Sequence, residues 1–316
     1  MNTDMPIARK LDFIVAGTGR SGTSAVTRYL SAVSSVHCGL ERFHPRTDHR
    51  TLHPPACFTD LASGDLPNGN WRPASTSLQF SIDEISRRGA DIRLFGNKTP
   101  NYIFRLGGLL DEIAPGRAII CWRDPRAVAE SYTRRADNPK DNWPPGKRAI
   151  FAVADIMICL QALANLGQHD VMIVPNRAVV ADWDGATRGM VNFLMPEHGE
   201  VSYDPVNLAV IKAQLEKSQR VPRHPSLWRP TEQRAVESLE RTGIDAVMNR
   251  DSVFLLSDVV DELRAVVARL PQDIVEHTRA LTEEDGGQEG IDCFLPWSKM
   301  PSFGLRQTRS ALRKSG

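Results

Sequence analysis

A short stretch near the N-terminus combines glycines, hydroxyl side chains and one arginine in a pattern that could hold an anion. Residues 17–24 read GTGRSGTS and follow the apolar residues 11–16, which we predict to form a buried strand. A strand, a glycine-rich turn and a helix start direct several backbone N–H groups and the helix dipole at one point. Arg20 adds a fork of N–H donors that matches phosphate or sulfate oxygens. We therefore expect an anion-binding loop formed by Arg20, Ser21, Gly22, Thr23 and Ser24.

One cation of the usual nucleotide-phosphate loop is missing from this stretch. The pattern G-x-x-x-x-G-K-S/T requires a lysine where Thr23 stands. A nucleotide kinase uses that lysine on the β- and γ-phosphates and the next hydroxyl on Mg²⁺, and Asp124 could supply its metal carboxylate. A P-loop nucleotide kinase therefore stays an alternative, and so does a non-catalytic nucleotide-binding or scaffold protein of the same fold.

A second cationic stretch, CWRDPRAVAESYTRR, begins in another apolar strand. Arg123 closes that strand, and ligands bind at such strand ends in open parallel sheets. Ser131 and Arg135 lie four residues apart, on one face of the helix that we predict next. These three residues could form a pocket for a second phosphate, although a surface helix with an ion pair between Arg134 and Glu130 is the alternative.

A parallel sheet would bring the two stretches together. Apolar segments that we predict as strands alternate with helical segments, which indicates βαβ units; these strands are residues 11–16, 92–95, 118–122 and 171–174. The first predicted helix covers residues 23–36, and after residue 204 the pattern is mostly helical. We therefore predict an α/β fold, a P-loop-like parallel sheet flanked by helices, with its core in residues 1–204. Residues 205–316 form a predicted helical C-terminal extension, which could belong to the same domain.

The composition argues against several classes of partner. The 316-residue chain has a net charge of +1, so no overall field favours nucleic acid or a membrane surface. It contains neither a signal-peptide core nor an apolar run of roughly 18 residues, and we expect a cytoplasmic protein without a membrane span. The five scattered cysteines lack C-x-x-C spacing, so we expect neither a disulfide framework nor a zinc site. No feature of the sequence indicates an oligomeric state.

Two further segments could contribute to a binding site. Residues 44–71 are rich in Pro, His, Asp and Gly and lack periodicity, so we predict a long, functional surface loop. Residues 299–314 carry basic side chains at helical spacing. A frayed, solvated helix and a cationic lid over an anionic ligand are both open interpretations of this tail.

Together the two cationic stretches resemble the motifs of sulfotransferases that use 3′-phosphoadenosine 5′-phosphosulfate (PAPS). Residues 20–24, RSGTS, are similar to the loop with which that family binds the 5′-phosphosulfate. Arg123, followed eight residues later by Ser131, is similar to its 3′-phosphate motif. The separation of about a hundred residues between the two motifs also suits the family, and the resemblance covers roughly residues 11–195.

Within that family the chain most resembles the branch of tyrosylprotein sulfotransferases and their bacterial relatives. CGLERF aligns Glu41 with the branch's acidic position, and GNKTP aligns Lys98 with its functional lysine. Arg135 matches an arginine of its 3′-phosphate helix, whereas Phe43 replaces an arginine of the branch. Because of that replacement and the expected cytoplasmic location, we expect the acceptor hydroxyl on a glycan, a lipid or a small metabolite.

The resemblance implies in-line sulfuryl transfer from PAPS to a hydroxyl. By analogy with phosphoryl transfer, catalysis is mostly positioning and electrostatic stabilisation, and side-chain cations suffice without a metal. Arg20 and its loop would bind the 5′-phosphosulfate, while Lys98 would stabilise the leaving phosphate. Glu41 would be the general base in a partly enclosed cleft, with His44 and His53 as alternative bases. The 3′-phosphate would be held by Arg123, Ser131 and Arg135.

Overall fold

The computed structural model describes most of the chain between residues 10 and 270. The described residues are 10–43, 47–59, 76–113, 116–141, 143–166, 169–197, 200–218 and 228–270. His44 and the basic segment 299–314 lie outside them. The role of His44 as an alternative base and both interpretations of the tail therefore stay predictions.

Six strands form one sheet, and the first five run parallel. The strands are β1 (Phe13–Gly17), β2 (Val36–Leu40), β3 (Leu94–Lys98), β4 (Arg117–Trp122), β5 (Val171–Pro175) and β6 (Phe254–Leu255). Their order across the sheet is β2-β3-β1-β4-β5-β6, with β6 antiparallel to β5. Every residue of β1 and β5 is buried, as expected for parallel strands that are covered on both faces.

Helices follow most of the strands along the chain. Among the described residues the α-helices are α1 (Thr23–Ala32), α2 (Ala56–Thr59), α3 (Thr76–Arg88), α4 (Leu106–Glu112), α5 (Pro125–Ala136), α6 (Ala149–Asn165), α7 (Asn176–Ala181), α8 (Trp183–Leu194), α9 (Pro205–Ser218), α10 (Pro230–Arg241), α11 (Ile244–Met248) and α12 (Val260–Val267). At least one helix lies between each consecutive pair of parallel strands. This alternation confirms the predicted α/β fold, a largely parallel sheet flanked by helices.

Helix α1 is shorter than the sequence predicts, because the chain turns into a strand that the sequence did not reveal. The predicted helix over residues 23–36 ends at Ala32, and Val33 is extended with ψ of 126°. The Val36 N–H donates to the Val33 carbonyl at 3.0 Å, which closes a tight turn before β2. Two turn-forming serines between β-branched valines therefore override the helical periodicity.

Residues 47–59, part of the predicted surface loop, are partly buried. The side chains of His49 and Phe58 are fully buried. The Phe58 ring lies 5.0 Å from the ring of Phe43 and 5.9 Å from that of Phe95, measured between centroids. Other residues of the segment are exposed, so the prediction of a surface loop holds in part. The polar, proline-rich composition did not indicate that its aromatic side chains would be buried.

The segment after residue 204 contributes to the same sheet through β6. Helix α10 is tied to α5, because Arg126 donates to both carboxylate oxygens of Glu240 at 2.8 and 2.6 Å. The described residues as far as Leu270 form one compact unit, and the predicted division at residue 204 stays a prediction. No helix within the described ranges is long and apolar enough to cross a membrane.

Gly96 of β3 leaves room for the ring of Phe13 on the neighbouring strand, where a Cβ would lie 2.3 Å from two ring atoms. We predict that Gly96→Ala lowers the free energy of unfolding by about 1–3 kcal/mol, because an overpacked core must shift. Gly108→Ala, in α4, where an added Cβ would meet nothing within 4 Å beyond its own stretch of helix, should raise it by about 0.5–1 kcal/mol. Urea unfolding of both variants measures the difference, and equal midpoints would contradict this packing.

Candidate active site

The candidate site residues lie at or just after the ends of parallel strands, and these strand ends are in register. Lys98, the last residue of β3, pairs with Val15 of β1 on one side and with Leu40 of β2 on the other. Gly17, the last residue of β1, pairs with Cys121 near the end of β4. The segments that leave these four strands therefore begin side by side at the carboxyl edge of the sheet, where open α/β sheets bind ligands.

Glu41 and Lys98 form an ion pair at this edge. The Nζ atom of Lys98 donates to Oε1 of Glu41 at 2.8 Å. Only 2% of the Lys98 side chain is exposed, compared with 24% of the Glu41 side chain. A buried ammonium requires a charged or hydrogen-bonding partner. Glu41 provides that partner, and its side chain stays partly accessible in a partly enclosed position.

The backbone at Glu41 has an unusual conformation. Its φ angle is 53°, in the left-handed region that residues with a Cβ rarely adopt. The Glu41 N–H donates to the carbonyl of Lys98 at 2.6 Å, which extends the β2–β3 ladder by one bond. The next N–H, of Arg42, donates to Oδ1 of Asn97 at 3.1 Å. The carboxylate is thus fixed both through its own ion pair and through the main chain.

The loop between β1 and α1 requires its glycines. Gly17 has φ of 144°, and a Cβ there would lie 2.5 Å from the Cys121 carbonyl oxygen. Gly22 has φ of 102° and immediately precedes α1, while Arg20 itself has φ of 66°. These conformations form a compact turn that ends at the N-terminus of a ten-residue helix. The first N–H groups of such a helix have no partner within it and can bind an anion.

The hydroxyl groups of this loop are not equivalent. Ser21 is 1% exposed, and its Oγ donates to the Thr18 carbonyl at 2.8 Å. Thr23 is also buried, whereas Ser24 is exposed. Ser21 therefore stabilises the turn, and Ser24 presents the accessible hydroxyl at the helix start.

The two cationic stretches that the sequence singles out meet in the structure. The Nε atom of Arg20 donates to the Ser131 hydroxyl at 3.0 Å. Nη1 of Arg123 donates to the Arg20 carbonyl oxygen at 3.2 Å. We call Arg20, Arg123 and Ser131 the cationic cluster. The partners in each of its contacts are more than 100 residues apart in the chain, so the cluster forms only because the sheet brings them together.

Arg135 has contacts that the sequence did not predict. Its Nε and Nη2 atoms donate to the two carboxylate oxygens of Asp141 at 2.8 and 2.5 Å. Its guanidinium also lies 4.7 Å from the centre of the Trp143 ring. Hydrogen bonding to Asp141 raises the pKa of Arg135 above its ordinary value. The expected contact of Arg135 with a 3′-phosphate stays a prediction.

The electrostatics of the cationic cluster favour an anion. Burial, reinforced by the positive charge of Arg135, lowers the pKa of Arg20 from its ordinary value. A lowered arginine pKa means that the surroundings disfavour its charge, and a bound anion would compensate it. Guanidinium forks, a hydroxyl and helix N–H groups are the donor set that phosphate and sulfate prefer. The residues present therefore fit a phosphorylated or sulfated ligand.

Two polar residues at this edge escaped the sequence prediction. Asn176, the first residue of α7 after β5, brings its Nδ2 to 3.0 Å from where a Cβ of Gly22 would stand. The Tyr132 hydroxyl lies 2.4 Å from the corresponding point at Gly19 and donates to Oδ2 of Asp155 at 2.7 Å. The position of Asn176 directly after an apolar strand was a signal that could have identified it.

Other predicted roles have less support in the geometry. His53 is exposed, and its role as an alternative base stays a prediction. Asp124, the carboxylate that a kinase would use for a metal, accepts from the Ala127 N–H at 2.8 Å and caps α5. In the part of the chain that the structure describes, no group of three or more His, Cys, Asp or Glu side chains could hold a metal ion.

Comparison with solved structures gives sulfotransferases at low similarity. The chain is similar to the sulfotransferase domain of the Synechococcus olefin synthase, with 18% identity, 74% of this chain and 97% of that one covered, and a TM-score of 0.36. A sulfotransferase domain from the curacin biosynthetic pathway gives 15% identity, coverages of 74% and 98%, and a TM-score of 0.37. A sulfotransferase from Mycobacterium avium gives 14% identity, coverages of 77% and 78%, and a TM-score of 0.43. A search of curated protein sequences found no significant match.

A family-wide sequence signature gives the decisive match. The signature of the sulfotransferase family matches residues 12–198, which is more than half of the chain. This segment contains the anion-binding loop, the Glu41–Lys98 pair and the helix that carries Ser131. The chain belongs to the sulfotransferase family.

Proposed function

We propose that this sulfotransferase moves a sulfuryl group from PAPS to an acceptor hydroxyl, with Glu41 as the general base. Sulfuryl transfer in general follows from the family; the donor, the base and the acceptor are the proposal. The observation that carries it is the 2.8 Å ion pair between Glu41 and Lys98, at the same sheet edge as the cationic cluster.

PAPS suits the arrangement of cations because it carries anionic groups on both sides of its ribose. Arg20 and the N-terminus of α1 would bind the 5′-phosphosulfate. Arg123 and Ser131, with Arg135, would bind the 3′-phosphate. The 3.0 Å bond between Arg20 and Ser131 supports two adjoining anion sites, as one nucleotide with two separate phosphates would need.

The transfer step requires a base on one side of the sulfur and a cation on the other. The acceptor oxygen attacks sulfur while the bond from sulfur to the bridging oxygen of the 5′-phosphate breaks. Glu41 takes the proton of the acceptor hydroxyl, and the electron pair of the broken bond stays on the leaving 3′-phosphoadenosine 5′-phosphate (PAP). The ammonium of Lys98 would stabilise the negative charge that develops there.

The ion pair would also couple donor binding to activation of the base. Without donor, the charges of Glu41 and Lys98 neutralise each other. The anionic oxygens of PAPS would compete for the Lys98 ammonium and leave the Glu41 carboxylate available to the acceptor. The cations that this transfer needs are all side chains or helix N–H groups, so we propose no metal in the step.

We propose a glycan, lipid or small-metabolite hydroxyl as the acceptor. Phe43 stands where the tyrosylprotein branch has an arginine, and it is 1% exposed and packed against Phe58. It therefore presents no charge to an acidic peptide, and membership of that branch stays a prediction. Sulfate transfer from labelled PAPS to a panel of glycan, lipid, metabolite and tyrosyl-peptide acceptors would identify the class.

Nucleotide binding separates this proposal from the kinase and scaffold alternatives. We expect PAP in EDTA to bind at least about tenfold, or about 1.4 kcal/mol, more tightly than ATP with Mg²⁺. The reason is that the cluster offers cations for a 3′-phosphate, while Thr23 stands where a kinase has its lysine. Isothermal titration calorimetry measures both. Tighter binding of ATP with Mg²⁺ would favour the kinase, and binding of neither nucleotide would favour the scaffold.

Substitution of Ser131 tests whether this residue binds the 3′-phosphate. We expect Ser131→Ala to weaken PAP binding about 10- to 100-fold, the usual worth of a hydrogen bond to a charged group. Binding of adenosine 5′-monophosphate, which lacks the 3′-phosphate, should change less than about twofold. Ser252→Ala, at an exposed position between α11 and β6, is the matched control. Equal weakening of both nucleotides would show that Ser131 does not contact the 3′-phosphate.

Substitution of Glu41 tests whether this residue is the general base. We expect Glu41→Gln to lower kcat by at least about 100-fold, the range of general-base catalysis, because an amide cannot take the proton. PAP binding should not weaken by more than about twofold, since the carboxylate is not a donor ligand and its loss releases Lys98 to the 5′-phosphate. Glu262→Gln, at a residue whose side chain is 61% exposed, is the matched control. Retained turnover in Glu41→Gln would transfer the base role to a histidine, and His53→Ala would then be measured.

A further inference from the structure

The conformation of Glu41 needs support from residues outside the ion pair. Its left-handed φ of 53° is unfavourable for a residue with a side chain, and such conformations persist only where the surroundings hold them. The direction of the carboxylate from the sheet depends on this backbone angle. Residues that fix the main chain around Glu41 therefore influence where its carboxylate can meet an acceptor.

Asn97 is the buried side chain that bonds this segment of main chain. It is fully buried in β3, next to Lys98, and its Oδ1 accepts the Arg42 N–H at 3.1 Å. A Cβ at Gly39 would lie 3.0 Å from the same Oδ1, so the amide is packed closely against β2. Asn97 thus holds the residue after Glu41, while Lys98 holds Glu41 itself.

A chain of buried hydrogen bonds determines which way the Asn97 amide faces. Nδ1 of His49 lies 2.8 Å from the Thr47 carbonyl, and burial lowers the His49 pKa to about 4. A neutral His49 therefore carries its proton on Nδ1 and accepts at Nε2, which lies 3.0 Å from the Tyr102 hydroxyl. Tyr102 donates to His49 and accepts from Nδ2 of Asn97. This direction leaves Oδ1 of Asn97 facing the Arg42 N–H.

We propose that Asn97 is a positioning residue for the Glu41 carboxylate, oriented by Tyr102 and His49. The inference rests on the proposed function, in which Glu41 is the base. Without the Oδ1 acceptor, the Arg42 N–H loses the bond that ties it to β3, and the chain at Glu41 can relax. A displacement of about 1 Å at a catalytic group can lower a rate about 100-fold, so the effect should fall on kcat.

Substitutions of Asn97 and Tyr102 test the inference directly. We expect Asn97→Ala to lower kcat about 30- to 100-fold with PAP binding within about twofold of the wild type. Asn97→Asp should restore kcat to within about fivefold of the wild type, because a neutral aspartic acid still offers an oxygen to Arg42 and an O–H to Tyr102. Tyr102→Phe removes only the orienting hydroxyl and should lower kcat about 3- to 10-fold.

Asn207→Ala is the matched control for loss of a buried amide. Asn207 is 8% exposed, and its Nδ2 donates to the Ser31 carbonyl and to Oε2 of Glu84, both at 2.8 Å. We expect Asn207→Ala to lower the unfolding midpoint while kcat stays within about twofold of the wild type. An unchanged kcat in Asn97→Ala, an equal loss in Asn207→Ala, or no recovery in Asn97→Asp would overturn the inference.

A double substitution distinguishes failure of this inference from failure of the proposed function. If Asn97 acts through Glu41, adding Asn97→Ala to Glu41→Gln should lower the residual rate by less than about threefold. Fully multiplied losses would show that Asn97 acts independently of the base. Normal turnover of Glu41→Gln would instead refute the proposed base. Loss of turnover in Glu41→Gln with normal turnover in Asn97→Ala would refute the positioning role alone.

Discussion

The parallel register of β2, β3, β1 and β4 is the constraint on which the candidate site depends. Ladder bonds align Leu40, Lys98 and Val15 in one row, and Gly17 lies opposite Cys121. Since the side-chain direction alternates along a strand, a slip of one residue would turn the buried Lys98 to the other face of the sheet. The core therefore specifies the site, because the same register that buries β1 on both faces also juxtaposes the strand ends.

The two halves of this edge differ in charge. At the ends of β2 and β3, the ammonium of Lys98 is neutralised by Glu41. At the ends of β1 and β4, burial and the charge of Arg135 disfavour the charged form of Arg20, although Asp141 binds Arg135 itself. An anion is therefore attracted to the second half, while in the first half the lysine is already paired with a carboxylate.

The parts of this site that depend on a local sequence pattern could be predicted. The apolar strand before a glycine-rich turn predicted β1 and the loop at Arg20, and the arginine closing an apolar strand predicted the position of Arg123. It missed β2, because the helical periodicity continued across the turn that follows Ala32. It also missed the pairing of Arg135 with Asp141, since a breaker-rich loop has no periodicity from which its fold could be predicted.

Asn97 escaped prediction for a deeper physical reason. Asparagine is an unfavourable residue within a strand, so the sequence gives no reason for Asn97 to be there. The reason is its hydrogen bond to the Arg42 N–H, which forms only in the folded structure. A buried polar chain is costly unless every member is bonded, and then it permits a single arrangement. The left-handed backbone of Glu41 is supported from inside the core, by the fully buried side chains of Asn97, Tyr102 and His49. The position of the proposed base therefore depends on buried residues that do not form the surface of the site.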